Sequence, residues 1–105
     1  MTLQTFELQV LLAVLRLGDG AYSVSVVLDL EGRTGRRVSQ AAVFVALRRL
    51  EKKGLIQSHL EDPFPGSGRV RRLVKPTRAG LRILKDAREQ HARTWRGVDR
   101  LLDKV

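Results

Sequence analysis

Arg48, Arg49, Lys52 and Lys53 close the stretch AAVFVALRRLEKKGLI, so four cations share one short helix-forming segment with an apolar run. Guanidinium and ammonium groups spaced about a helical turn apart suit phosphate oxygens rather than bond-making chemistry. A second basic group, Arg69, Arg71 and Arg72, follows the segment EDPFPGSG. Other reactive sets are thin. His59 and His91 stand 32 residues apart and there is no Cys, which makes no zinc-ligand set. No strand-turn-helix elbow carries a nucleophilic Ser, and Gly66 and Gly68 do not open a helix as a phosphate-binding loop does. These residues imply a binding protein without metal or cofactor, and not an enzyme.

The placement of charge supports that reading. The chain has 105 residues and a formal net charge of +9. Residues 1–32 set Arg16 against Glu7, Asp19, Asp29 and Glu31 for a net of −3. Residues 33–75 carry eleven cations against Glu51, Glu61 and Asp62 for a net of +8, and the remainder adds +4. A field concentrated in the middle third is expected where one surface meets a polyanion. The absence of Cys fits a reducing cytoplasm. MTLQTFELQV has no basic n-region and no small-residue cleavage site, and no apolar run approaches the roughly 20 residues that span a bilayer.

The elements that must position these cations follow from periodicity. Thr5 can cap a first helix to about Leu17, with Phe6, Val10, Ala13, Val14 and Leu17 at helical spacing and Leu11, Leu12 and Leu15 widening the stripe. Gly18-Asp19-Gly20 stops it, and Ser23 is placed to cap a second helix to about Glu31. Gly32-Arg33-Thr34-Gly35 reads as a loop. Ser39 caps a third helix whose buried face is Val43, Ala46, Leu47 and Leu50, with Gly54 as its left-handed stop. Leu55–Leu60 and Val70–Lys75 read as the strands of a hairpin around the Pro- and Gly-rich loop from Glu61 to Gly68. Pro76-Thr77 opens a last helix to about Leu102, 26 residues and roughly 39 Å long.

The order is helix, helix, helix, hairpin, long helix: mainly α with a small β-hairpin wing. It describes a winged helix-turn-helix over residues 1–76, with a C-terminal dimerisation helix over 77–105 in the same compact unit. In such a unit the third helix lies in the major groove of double-stranded DNA. Gln40, Ala41, Phe44 and Val45 are then expected near base edges, with Gln40 able to pair with adenine and Val45 to touch a thymine methyl. Ser39, Arg48, Arg49, Lys53, Arg69 and Arg71 are expected on phosphates. Two recognition helices one DNA turn apart require a two-fold dimer, and only the last helix is long enough to build one. Leu81, Leu84, Arg88, His91, Trp95, Val98 and Leu102 alternate at spacings of three and four and form its candidate seam.

The segments AYSVSVVLDLEGRTGRRVS, AVFVALRRLEKKGLI and RRLVKPTRAG, in this order, resemble the PadR-type winged-helix transcriptional regulators over nearly the whole chain. Tyr22 matches the Tyr that begins the second helix, Leu47, Leu50 and Gly54 the core and stop of the recognition helix, and Thr77 and Gly80 the entry to the last helix. Phe44 stands where the family usually has Tyr, Ala21 where Gly is common, and Val74 and Pro76 where Tyr and Leu are usual. The resemblance implies a homodimeric, repressor-like regulator of the short form. It also implies a candidate small apolar effector at the dimer interface, for which Trp95 is the matching aromatic. Two other classes compete with it: a winged-helix adaptor for an acidic protein, and a non-specific architectural DNA binder. A basic amphipathic membrane binder is disfavoured because the apolar face of the third helix is needed for the core.

Overall fold

The computed structural model describes residues 3–61 and 70–105. Val10, Leu11, Ala13 and Val14 of α1 (Thr5–Leu17) are fully buried. Their stripe is wide enough to meet two neighbours, and α1 packs on both α2 (Ser23–Thr34) and α3 (Gln40–Lys52). A 3-10 turn at Gly18–Gly20 separates α1 from α2, which cross at 120°. Val26 and Leu30 of α2 and Val43, Ala46, Leu47 and Leu50 of α3 complete the three-helix core, closed by Leu55, Ile56, Val74 and Leu84.

The helix starts differ from expectation. Thr5 is the first residue of α1, and the capping position falls to Gln4 without a side-chain bond. At α2 the capping position is Tyr22, and Ser25 rather than Ser23 secures the end. Its Oγ accepts from the Tyr22 backbone N–H at 2.9 Å and donates to the Gly20 carbonyl at 2.7 Å. The expected loop at 32–35 is also corrected: α2 runs on through Thr34, and only Gly35 (φ 69°) leaves the helix. Side chains hold this extra turn, with Arg33 paired to Asp29 and Thr34 Oγ1 donating to the Leu30 carbonyl at 2.8 Å. Asp29 also receives Arg16 from α1, and that hydrogen bond above all holds its carboxyl below the ordinary value.

The wing is an antiparallel pair, β1 (Ile56–Leu60) and β2 (Arg72–Pro76), with Ile56 opposite Pro76 and Leu60 opposite Arg72. Val74 N–H donates to the Ala21 carbonyl at 2.9 Å, so β2 lies between β1 and the residues leading into α2. The rest of the expected loop, residues 62–68, and Arg69 lie outside the described residues.

A small junction joins α3, the wing and α4 (Arg78–Trp95). Gly54 (φ 76°) ends α3, and Thr77 Oγ1 donates to the Gly54 carbonyl at 2.6 Å while accepting from the Gly80 N–H at 3.1 Å. Thr77 N–H donates to the Leu55 carbonyl at 3.0 Å. That same carbonyl oxygen lies 2.1 Å from where a Cβ on residue 80 would sit. Only Gly fits there.

The single long C-terminal helix of the sequence reading is corrected too. α4 ends at Trp95 because Arg96 is extended (ψ 125°) and Gly97 adopts φ 83°; α5 (Val98–Leu102) follows as a separate element. The three-four seam therefore does not continue into Val98 and Leu102. Leu84 belongs to the chain's own core, whereas from Arg88 to Trp95 every residue of α4 is exposed. The radius of gyration is 16.0 Å, against about 13 Å for a compact chain of this length, because this arm projects from the core. Among the described residues no single helix is long and apolar enough to cross a membrane.

Replacing Gly80 with Ala should lower the stability by about 2 kcal/mol, because the Leu55 backbone must shift to admit the methyl. Gly32→Ala, inside α2 with open space around it, should raise stability by about 0.5–1 kcal/mol. Urea unfolding midpoints of the two variants should move in opposite directions.

Candidate nucleic-acid interface

The N-terminus of α3 is held at two points. Ser39 Oγ accepts from the Ala42 N–H at 3.1 Å, and Glu31, at the end of α2, accepts the Val38 N–H at 3.0 Å. These bonds fix the angle at which α3 leaves α2. With Val43, Ala46, Leu47 and Leu50 turned inward, Gln40, Ala41, Phe44, Val45, Arg48, Arg49 and Lys52 share the solvent side.

Phe44, Val45, Arg48, Arg49, Glu51, Lys52 and Arg72 line an open groove of about 1060 Å³ between α3 and the wing. A narrower niche of about 140 Å³ runs beside it toward Tyr22, Leu47 and Val74. The Arg48 guanidinium carbon stands 5.9 Å from the Phe44 ring centroid, a cation–π contact that steadies both side chains. The wing is tied to α3 by Ser58, whose Oγ donates to the Glu51 carboxylate and accepts from Arg72 at 3.1 Å.

Four of the expected contact residues thus meet in one groove: Phe44, Val45, Arg48 and Arg49. Gln40 and Ala41 precede them along the same exposed side, with Ser39 at the cap. Two of the expected phosphate ligands have protein partners instead. Lys53 Nζ donates to Glu7 of α1 at 2.9 Å, and Glu7 is only 3% exposed. Arg71 forms an ion pair with Glu61 across the hairpin and lies with its guanidinium carbon 4.8 Å from the Tyr22 ring centroid. The hydrogen bond to Glu61 raises the Arg71 pKa further and lowers that of Glu61.

Arg72, grouped with Arg69 and Arg71 in the sequence but left off the residues expected on phosphates, is the cation that reaches the groove among the described wing residues. Strand alternation carried the signal, since Arg72 shares a face with Val74, which packs toward α3. Lys53 follows Leu50 by three residues and Ala46 by seven, a spacing that places its stem toward α1 while the residue stays exposed. Glu51 and Ser58 had no such signal. Their pairing depends on how the wing folds back on α3.

At the other end of the molecule His91 stacks on Trp95 with ring centroids 5.4 Å apart, beside a shallow open hollow that also touches Ala92, Arg96 and Asp99. Leu81, Trp95 and Leu102 are all close to half exposed, and Val98 is half-buried. Among the described residues no group of three His, Asp or Glu side chains is placed to hold a metal ion.

This arrangement of three helices and a β-hairpin, with a cation-lined third helix, defines a winged helix-turn-helix. The fold is similar to that of PadR-type winged helices: it overlays a PadR family transcriptional regulator from Eggerthella lenta with a TM-score of 0.70 and 28% identity, over 95% of this chain and 89% of that one. A PadR-like transcriptional regulator from Bacillus cereus overlays with a TM-score of 0.75 at 22% identity, over 92% and 90% of the two chains. One from Clostridium difficile overlays at 0.66 and 20%, over 92% and 95%. No protein-family model and no curated protein matches the sequence. These neighbours are transcriptional regulators, not enzymes, in line with the sequence reading.

The Glu7–Lys53 pair generates a test of the two-sided role of α3. Lys53→Met leaves a buried carboxylate without its partner and should lower stability by about 3 kcal/mol. The double variant Glu7→Leu with Lys53→Met should return to within about 1 kcal/mol of the parent, since it leaves no buried carboxylate without a partner. Urea unfolding of the parent, both single variants and the double gives the coupling energy. A coupling near zero would remove Lys53 from the fold's supports.

Proposed function

We propose that this chain is a sequence-specific DNA-binding transcriptional regulator, repressor-like, acting as a homodimer on a two-fold operator. The observation that carries the reading is the exposed side of α3. Its N-terminal half presents Gln40, Ala41, Phe44 and Val45, and its C-terminal half presents Arg48, Arg49 and Lys52, with Arg72 of the wing beside them. An amide and apolar tip flanked by cations suits base edges within a groove and phosphates at its rims. Ser39, Arg48 and Arg49 take the phosphates in this reading. Lys53 and Arg71, engaged by Glu7 and Glu61, position the face behind them.

Exposed apolar surface supports the dimer. Leu12 and Leu15 form an outer stripe on α1, and Leu81, Trp95, Leu101 and Leu102 lie along the arm about half exposed or more. Water-exposed side chains of this size along a projecting helix suit burial against a second copy. A flat apolar effector, if the dimer takes one, would meet the Trp95 and His91 rings at that interface.

Arg48→Ala should weaken binding to a preferred duplex and to a scrambled one by the same factor, about tenfold at 150 mM salt. The slope of log K against log salt should flatten by about 0.9 for each phosphate that the variant no longer neutralises. Fluorescence anisotropy across a salt series measures both. A changed site preference with an unchanged slope would overturn the role given to Arg48.

Ending the chain at Lys85 removes the arm but keeps every core residue through Leu84. Sedimentation velocity at micromolar concentration should show a dimer for the full chain and a monomer for the shortened one. A stable dimer after the truncation would refute the assignment of the arm.

A further inference from the structure

Two large apolar side chains stand half exposed among the cations that line the groove: Phe44 at 55% and Val45 at 46%. Neither can bond to a phosphate, and neither is needed by the core, which Val43, Ala46 and Leu47 of the same helix fill. Exposed surface of this kind gains only by meeting other apolar surface. On the floor of the DNA major groove the distinctive apolar group is the C5-methyl of thymine.

Resting on the DNA-binding reading above, we infer that Phe44 and Val45 recognise thymine C5-methyl groups, so that the preferred half-site presents thymines to this part of α3. The geometry is suited to the task. Phe44 borders the niche formed with Tyr22, Leu47 and Val74, and Arg48 lies near its ring, which braces the aromatic while leaving more than half of it open. Val45 lies on the other flank of the helix, at a rim it shares with Ala41 and Ala42. Ala41 precedes Phe44 by three residues and Val45 by four, so it shares their side of the helix. Its short side chain lets the backbone approach the groove floor. Gln40 is the one amide in this set, and its donor and acceptor match adenine N7 and N6, the partner base of the same A·T pair. The recognition surface thus holds one group for adenine and an apolar pair for thymine. No carboxylate stands among Gln40, Ala41, Phe44 and Val45 to accept from cytosine N4.

Deoxyuridine tests this directly, because it removes the methyl and keeps Watson–Crick pairing. The full chain would first select duplexes from a pool with a random core of about 25 base pairs, long enough for two half-sites one turn apart. Selected duplexes would then be resynthesised with deoxyuridine for thymidine, one position at a time and symmetrically in both half-sites. Affinities would be measured by anisotropy at about 150 mM salt. We expect one or two thymines per half-site at which each methyl removed costs about fourfold in affinity. Val45→Ala and Phe44→Ala should each bring the thymidine-to-deoxyuridine ratio at one of those positions toward unity, with thermal melts showing that both variants stay folded. Arg48→Ala should weaken both duplexes and leave the ratio intact. If no thymine replacement costs more than about twofold, methyl recognition is overturned while sequence-specific binding stands. If the selection enriches no sequence, the sequence-specific reading fails and this inference fails with it.

Discussion

Three elements depend on one carbonyl. The Leu55 oxygen accepts the Thr77 N–H and occupies the space that any side chain on residue 80 would need. Thr77 meanwhile reaches the Gly54 carbonyl, so the stop of α3, the residue that leads into β1 and the first turn of α4 are joined within a few ångströms. Moving any one of them would break its hydrogen bond to Thr77. The direction in which α4 leaves the core and the height of the wing above α3 are therefore coupled quantities. The Val74–Ala21 hydrogen bond and the Ser58–Glu51 pair hold the wing at two further points, so its position over α3 is fixed from both ends.

The described cations of α3 and the wing include two populations that the net charge alone does not separate. Lys53 and Arg71 have carboxylates within bonding distance, Glu7 on α1 and Glu61 across the hairpin, and the second also rests on the Tyr22 ring. Arg48, Arg49 and Lys52 line the groove without an ion-pair partner among the described residues. The first population anchors α3 and the wing, and the second makes the field that a polyanion would meet. Glu51 is the exception in the groove, and its bonds to Ser58 show that it serves the α3–wing joint.

How much of this was legible followed the range of each interaction. The Ser39 cap, the inward set Val43, Ala46, Leu47 and Leu50, and the Gly54 stop all rest on neighbours within one or two turns, and the sequence pattern showed them. The Thr77-x-x-Gly80 landmark was visible, yet its reason was not, because the Leu55 carbonyl arrives from 25 residues away. Glu7 and Lys53 are 46 residues apart, so Lys53 read as one more member of a basic run. Leu84 illustrates a different limit. Burial in a chain's own core and burial against a second copy leave the same apolar periodicity in the sequence. Gly97 was passed over for a related reason, since a lone Gly within a helical pattern does not announce whether it will adopt a left-handed conformation.

The break at Gly97 gives the C-terminal arm two mechanical regimes. From Arg78 to Trp95 the backbone hydrogen bonds run without interruption, so α4 behaves as a shaft about 27 Å long with its base locked at Thr77 and Gly80. Torque applied near Trp95 would reach that base and, through it, the end of α3. Torque applied to α5 meets a swivel first, because no helical ladder crosses Arg96 and Gly97. The last segment can therefore turn to fit whatever it touches without twisting the face that carries Phe44 and Arg48.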